Sequence, residues 1–320
     1  MKIDIELLKE FEQTIDTIHP ETGKIPIKIL GFGEISLVFE IIGDPEQLAY
    51  KRIPIFKNEK QVRRHIWAYN EYCRILDKEV GLILPEHKVI WFLDDKEQIQ
   101  FYSIQAKIDP ESVGNKIIHH VSDDEIEILV LLVLRELKKV WTLNKEKANI
   151  EVGLDGQISN FVLMDYDSKS PTVNENSKLL YLDTSTPMLR KNGVEAMEAD
   201  LFLNSTPSFL RFLIKAFFIQ EVLDRYYNLR LVIIDLLANF FKEQIPKIIP
   251  RLIKRVNQFL NEEASEFKID PISFVEVQKY YKSDKMIWVI FQNARRIDRY
   301  IKTKLLKKTY DFYLPEKIKR

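Results

Sequence analysis

The sequence lacks several features that would narrow its function at once. It contains one cysteine, Cys73, in 320 residues, which excludes an internal disulfide and a zinc cluster built from several thiolates. No apolar run approaches the ~20 residues that cross a bilayer, so we expect no membrane insertion. The first residues, Met-Lys-Ile-Asp-Ile-Glu, carry acids where a signal peptide needs an apolar core. These absences predict an ordinary globular protein of the cytoplasm.

A net charge is also lacking, but the charges are unevenly distributed. The chain has 48 Lys and Arg and 48 Asp and Glu. From Lys282 to Arg320, twelve basic residues stand against four acids, an excess of +8 that the rest offsets. Such an end can meet nucleic acid, anionic lipid or an acidic partner, or it can be a solvated helical face. No nucleic-acid-binding signature accompanies it, so we expect no nucleic-acid partner.

The spacing of apolar residues changes part-way along the chain. An amphipathic helix is predicted over residues 3–18, and about five strands with one inserted helix, 59–78, follow it. A second long helix begins after Ser122, which is followed by acids that suit a first helical turn. Most of the remainder has helical spacing. We therefore predict an α+β chain, with a small β-rich lobe at 1–107 and a larger helical lobe at 108–320.

A glycine turn and a strand lysine lie in the predicted β-rich lobe. Gly31 and Gly33 follow the first strand closely enough to fold backbone over phosphates, although Ser36 replaces the third glycine. A plain hairpin turn is the alternative. Lys51 ends the third predicted strand, twenty residues after Gly31. A lysine in this position either neutralises nucleotide phosphates or simply faces water.

The lysine would need a carboxylate to hold it. Glu71 is the candidate, twenty residues after Lys51 on the predicted helix, with Trp67 and Ile75 four residues to either side. An acid between large apolar residues suggests a helix covered on both sides. The alternatives are an exposed Glu71, or Glu59 in its place.

Three polar residues follow the second long helix. Asp155 and Asn160 lie in a loop that enters a short predicted strand, and Asp183 ends the next strand. Phosphoryl transfer to a hydroxyl requires a carboxylate that orients and deprotonates the acceptor, and an amide and a carboxylate that hold magnesium. Turn and cap roles are the alternatives for all three residues.

In order and spacing, this series resembles the protein-kinase-like superfamily, and most closely its aminoglycoside and choline phosphotransferase branch. The resemblance covers about residues 24–190 and implies a bilobal kinase-like fold that uses ATP, or another nucleoside triphosphate, and Mg²⁺. It implies a small-molecule acceptor. It also implies roles: Asp155 as base, Lys51 on phosphates, Glu71 holding Lys51, Asn160 and Asp183 on metal, and Gly31, Gly33, Ser36 and Gln105 on nucleotide.

Several positions depart from the superfamily pattern. Gly153-Leu154 stands where His-Arg or His-Gly precedes the catalytic Asp, Gln157 replaces a Lys or His, and Thr184-Ser185 replaces Phe-Gly. The absence of Ala-Pro-Glu argues against a protein kinase. Three hypotheses therefore remain open: an active phosphotransferase, a nucleotide-binding module without turnover, and an unrelated α+β interaction protein with a basic end. The sequence leaves the acceptor and the oligomeric state open.

Overall fold

The computed structural model describes residues 1–33, 35–207, 211 and 219–314. The strands are Ile27–Phe32 (β1), Leu37–Ile41 (β2), Leu48–Arg52 (β3), His87–Leu93 (β4), Ile99–Ala106 (β5), Ile150–Val152 (β6), Phe161–Leu163 (β7), Leu179–Tyr181 (β8), Leu189–Lys191 (β9) and Val194–Glu195 (β10). The helices are Ile5–Thr14 (α1), Glu59–Arg74 (α2), Gly114–Ile117 (α3), Asp123–Glu146 (α4), Ile219–Asp224 (α5), Leu229–Lys242 (α6), Ile249–Glu262 (α7) and Phe274–Tyr300 (α8).

The first five strands form one antiparallel sheet in the order β1-β2-β3-β5-β4, with α2 inserted between β3 and β4. Successive side chains of a strand point to opposite faces. On β3, Tyr50 and Arg52 are therefore buried on one face, whereas Ala49 and Lys51 lie on the other, where both are partly exposed. Lys51 therefore lies on the face of the sheet opposite the core that contains Tyr50.

Helix α1 covers the opposite face of the sheet. Its apolar residues Leu8 and Phe11 are buried and join the same core as Tyr50. Beside them, Arg52 donates from Nε and Nη2 to the two carboxylate oxygens of Glu12, at 2.7 and 2.9 Å. Both side chains are almost fully buried. A buried pair with two parallel hydrogen bonds holds the helix in one orientation on the sheet.

Helices dominate the second lobe. Ser122 and Glu125 form a reciprocal capping box at the start of α4, as the Ser-Asp-Asp-Glu sequence predicts. Helix α4 is buried along most of its length and packs against α6 and α7. Two small antiparallel sheets, β7-β8 and β10-β9-β6, complete the lobe and carry the loops that follow α4.

The last described residues return to the first lobe. Tyr310, Phe312 and Leu314 are buried in a cluster with residues of the β-rich lobe. The main chain there is held by Thr17 Oγ1, which donates to Tyr310 O at 2.5 Å, and by Arg52 Nη1, which donates to the carbonyl of residue 311 at 2.6 Å. The sequence did not predict this return.

The two-lobed α+β fold predicted from the sequence is confirmed, with five strands and one inserted helix before the helical lobe. Among the described residues, no helix is both long enough and apolar enough to span a membrane. The helical stretch predicted from residue 208 onward lies in part outside the described residues.

Candidate active site

Lys51 and Asp183 join the two lobes. Lys51 lies on β3, opposite Val38 of β2 and Ser103 of β5. Its Nζ is 2.9 Å from Oδ1 of Asp183, and each side chain is 25% exposed. An ammonium and a carboxylate that are both partly shielded attract each other more strongly than a surface pair. The pair therefore fixes a lysine of the sheet against a carboxylate of the helical lobe.

Asp183 lies two residues beyond the end of β8, and its segment is held from two sides. Ser185 Oγ donates to Asp183 Oδ1 at 3.0 Å, and the backbone N–H of Leu182 donates to Asn160 O at 2.8 Å. Burial alone would raise the pKa of Asp183, but the Lys51 charge and the hydrogen bonds from Lys51 and Ser185 outweigh it and lower the pKa. Asp183 is thus anionic at neutral pH.

The loop between β6 and β7 carries Asp155 and Asn160. Asn160 Nδ2 donates to the backbone oxygen of Asp155 at 3.2 Å, and the N–H of Gln157 donates to Asp155 Oδ1 at 3.1 Å. Gln157 Nε2 also donates to Asp235 Oδ2 at 3.1 Å, which ties the loop to α6. These bonds hold Asp155 and Asn160 together in one loop, and the hydrogen bond from Leu182 N to Asn160 O places that loop beside the segment of Asp183.

The environment of Asp155 suits a proton acceptor. Burial, together with the charges of Asp235 and Asp183, raises the pKa of Asp155 to about 7. A base whose pKa lies near the working pH combines a useful ionised fraction with the strongest drive to accept a proton. The same shift means that Asp155 is only partly ionised at neutral pH.

Tyr72 supports this loop from α2. Its hydroxyl donates to Gly153 O at 2.9 Å, and the ring is fully buried. Gly153 N donates to Met188 O at 2.8 Å, and a Cβ at residue 153 would lie 2.9 Å from Tyr226 O. Only glycine fits this space. The hydrogen bond from Tyr72 therefore supports the loop at Gly153, the position where the superfamily pattern has a histidine. The sequence did not predict this role of Tyr72.

Glu71 does not have the partner that the sequence predicts. It accepts hydrogen bonds from Arg74 and from Lys191 Nζ, the latter at 2.8 Å, and these bonds lower its pKa to about 2. The pairing of Glu71 with Lys51 predicted from the sequence is not formed. The alternative candidate, Glu59, is largely exposed and pairs with Arg63.

The reason lies in how α2 is rotated. Its buried face presents His65, Tyr69 and Tyr72, spaced four and three residues apart. Glu71 lies beside that face, next to Trp67, which is 50% exposed. Of the two apolar neighbours of Glu71, Trp67 is half exposed whereas Ile75 is fully buried, so the helix is covered on only one side of Glu71.

The glycine turn differs in part from the prediction, because Gly31 lies inside β1 and only Gly33 follows that strand. Gly33 N donates to Ser36 O at 3.0 Å, and a Cβ at residue 33 would lie 2.8 Å from Ser36 Oγ. Gly31 pairs with Val38 inside the sheet, and nothing lies within 4 Å of an added Cβ. Gly33 thus permits a close contact with Ser36, whereas Gly31 leaves open space above the strand.

Gln105 lies on β5, opposite Ala49 of β3. Its Nε2 donates to Leu182 O at 2.8 Å and lies 3.4 Å from Thr184 Oγ1. Gln105 therefore joins the end of the sheet to the segment that carries Asp183. Its amide donor is therefore engaged by the two residues on either side of Asp183.

The metal-ligating candidates are Asn160 and Asp183. Within the described ranges, no group of three His, Cys, Asp or Glu side chains is placed to hold a metal ion. A magnesium ion bound together with a nucleotide takes only one or two protein ligands, because phosphates and water supply the rest. The anionic Asp183 and the amide oxygen of Asn160 fit that requirement.

Cys73 is buried, as expected for a core residue.

Sequence comparison places the chain in a family. A family model described as "Family of unknown function (DUF6206)" matches residues 10–299. The chain belongs to this family. No curated protein matches the chain.

Two solved structures show some likeness to the DUF6206 chain. One is WaaP in complex with acyl carrier protein, at 12% identity, with 71% of this chain and 89% of that chain covered and a TM-score of 0.31. The other is the GDP complex of an aminoglycoside 2'-phosphotransferase-IIIa, at 9% identity, with 73% and 92% covered and a TM-score of 0.32. Scores this low carry no argument about activity, which has to come from the residues of this chain.

Proposed function

We propose that this protein is a phosphotransferase that moves the γ-phosphoryl group of ATP, or another nucleoside triphosphate, to a hydroxyl of a small molecule. The observation that carries the proposal is the ion pair between Lys51 and Asp183 across the two lobes, beside the loop of Asp155 and Asn160. A purely structural role does not readily explain why a strand lysine, two carboxylates and an amide lie together.

Each residue has a task in such a reaction. Lys51 would neutralise nucleotide phosphates, and the turn of Gly31, Gly33 and Ser36 would cover them. Asn160 and Asp183 would hold Mg²⁺, which supplies positive charge that stabilises the transferring phosphoryl group.

Asp155 would orient the acceptor and take its proton. The acceptor oxygen then forms a bond to the γ-phosphorus while the bond between that phosphorus and the β–γ bridging oxygen breaks, and the nucleoside diphosphate leaves. The raised pKa of Asp155 supports this role, because a carboxylate of ordinary pKa is a weaker proton acceptor.

Phosphoryl transfer from γ-labelled ATP to a library of hydroxylated metabolites tests the proposal. We expect transfer to at least one acceptor, and we expect Asp155→Asn to reduce it by about 100-fold or more. Asp165→Asn removes the same charge from an exposed position and serves as the matched control.

Thermal unfolding with ATP, with and without Mg²⁺, separates the remaining hypotheses, because a ligand that binds the native state raises its stability. Binding without transfer to any acceptor would identify a nucleotide-binding module and overturn the enzymatic assignment. No binding at all would leave an interaction protein with a basic end.

A further inference from the structure

Helix α8 carries an exposed apolar stripe near the basic end of the chain. Residues three and four positions apart share a helix face. The positions on this face are Val275, Lys279, Lys282, Met286, Ile290, Asn293, Ile297 and Tyr300, with Val289 alongside. We call them the α8 stripe. From residue 286 to 300 it extends about 21 Å along the helix.

The apolar members of the stripe are well exposed. Met286 is 59% exposed, Ile290 56%, Ile297 54% and Tyr300 60%. Single exposed apolar residues need no explanation, but a row of them, here interrupted by Asn293, marks a contact surface. The other side of α8 holds the helix in place, because Val277, Ala294 and Arg295 are buried there.

The charges around the stripe all have one sign. Lys279 and Lys282 are exposed at its start, and Lys304 is exposed just beyond its end. The three acids of this stretch face elsewhere. Glu276 pairs with Arg230, Asp284 with Lys242 and Asp298 with Lys302. The stripe is therefore an apolar row with a cationic patch at each end.

This pattern selects one occupant. If a second copy packed antiparallel on the stripe, Lys279 and Lys282 of each helix would lie against Lys304 of the other helix. No acid of the stripe would offset this repulsion. Nucleic acid would match the lysines but would place phosphates against the apolar row. An anionic lipid surface accepts both parts, because acyl chains receive the apolar side chains and headgroups meet the lysines.

We propose that the α8 stripe docks this protein on the surface of an anionic membrane, with α8 lying in the plane of the interface. Membrane docking does not depend on the phosphotransferase activity proposed above. It gives the basic end of the chain a function, and it requires surface contact only, without a membrane-spanning segment.

Vesicle co-sedimentation tests the proposal with the full chain. We expect the protein to sediment with phosphatidylcholine vesicles that contain about 30% phosphatidylglycerol, and to bind pure phosphatidylcholine vesicles about 10-fold less tightly or worse. Added salt should weaken binding to the anionic vesicles, because it screens the lysines.

A pair of double variants makes the test specific. Ile290→Glu with Ile297→Glu places two acids in the stripe and should reduce binding by about 10-fold or more. Ile42→Glu with Val194→Glu makes the same charge change at two exposed apolar positions outside α8, and it should bind as the wild type does. An unchanged thermal unfolding midpoint shows that each variant folds.

Three results would overturn the proposal. The first is a wild type that does not sediment with anionic vesicles. The second is equal loss of binding in both double variants, which would show a non-specific charge effect. The third is a wild-type dimer in light scattering that the stripe variant alone dissociates, since that would assign the stripe to a second copy.

Discussion

The unusual ionisation of Asp155 predicts that replacing it stabilises the protein. Its pKa rises from the ordinary 3.8 to about 7, first through burial and then through the charges of Asp235 and Asp183. Between these two values the native state holds a proton that the unfolded chain has released. Folding stability attributable to Asp155 therefore falls as the pH rises from about 4 to about 7. Asp155→Asn removes this dependence and keeps an oxygen that accepts from Gln157 N.

The size of the effect follows from the shift. A shift of about three pH units, at about 1.36 kcal/mol each, sets an upper limit of about 4 kcal/mol at pH 8. Asp155 is partly exposed, so solvent screening reduces the expected gain to about 1–2 kcal/mol. At pH 5 the gain should be less than half as large.

Chemical denaturation of wild type and Asp155→Asn at pH 8 and pH 5 measures this difference. Asp165→Asn is the control for loss of one exposed carboxylate. The reasoning fails if Asp155→Asn destabilises the protein at pH 8, or if its effect is the same at both pH values. Either result would mean that Asp155 is not held in an environment that disfavours its charge.

Four further substitutions test the packing of the fold by chemical denaturation. Tyr72→Phe should cost about 1–3 kcal/mol, because it leaves Gly153 O buried without its donor; an unchanged stability would dismiss Tyr72 as the loop support. Gly153→Ala should destabilise by more than about 1 kcal/mol, since its Cβ would lie 2.9 Å from a backbone oxygen. Gly31→Ala should leave stability nearly unchanged, because the added Cβ has no atom within 4 Å. If Gly31→Ala and Gly153→Ala destabilised the protein equally, the steric explanation for Gly153 would be refuted. Glu12→Ala should cost about 3–5 kcal/mol by leaving buried Arg52 without its partner charge, and a loss below 1 kcal/mol would contradict this.

Local patterns predicted much of the fold. The spacing of apolar residues predicted about five strands with one inserted helix, and Ser122 with the acids after it predicted the start of α4. The resemblance of this residue series to the protein-kinase-like superfamily implied that Lys51, Asp155 and Asp183 lie near one another, and the structure pairs Lys51 with Asp183.

Other features depend on contacts between distant residues. Helix α2 offers two partly apolar faces, and only its packing against the segment after Asp183 decides that Tyr72 points inward and Glu71 outward. The return of residues 310–314 to the first lobe rests on contacts such as Thr17 with Tyr310, which are 293 positions apart. A local pattern carries no information about such pairings.

The central claim is that the Lys51–Asp183 pair and the loop of Asp155 and Asn160 form a binding site for a nucleotide with magnesium. Titration calorimetry with ATP measures this directly, in the presence of Mg²⁺ and again with a chelator. We predict that the wild type binds ATP more tightly with Mg²⁺, and that Asp183→Asn loses this dependence on the metal. The claim is contradicted if the wild type shows no binding, or if Mg²⁺ improves binding equally in wild type and Asp183→Asn.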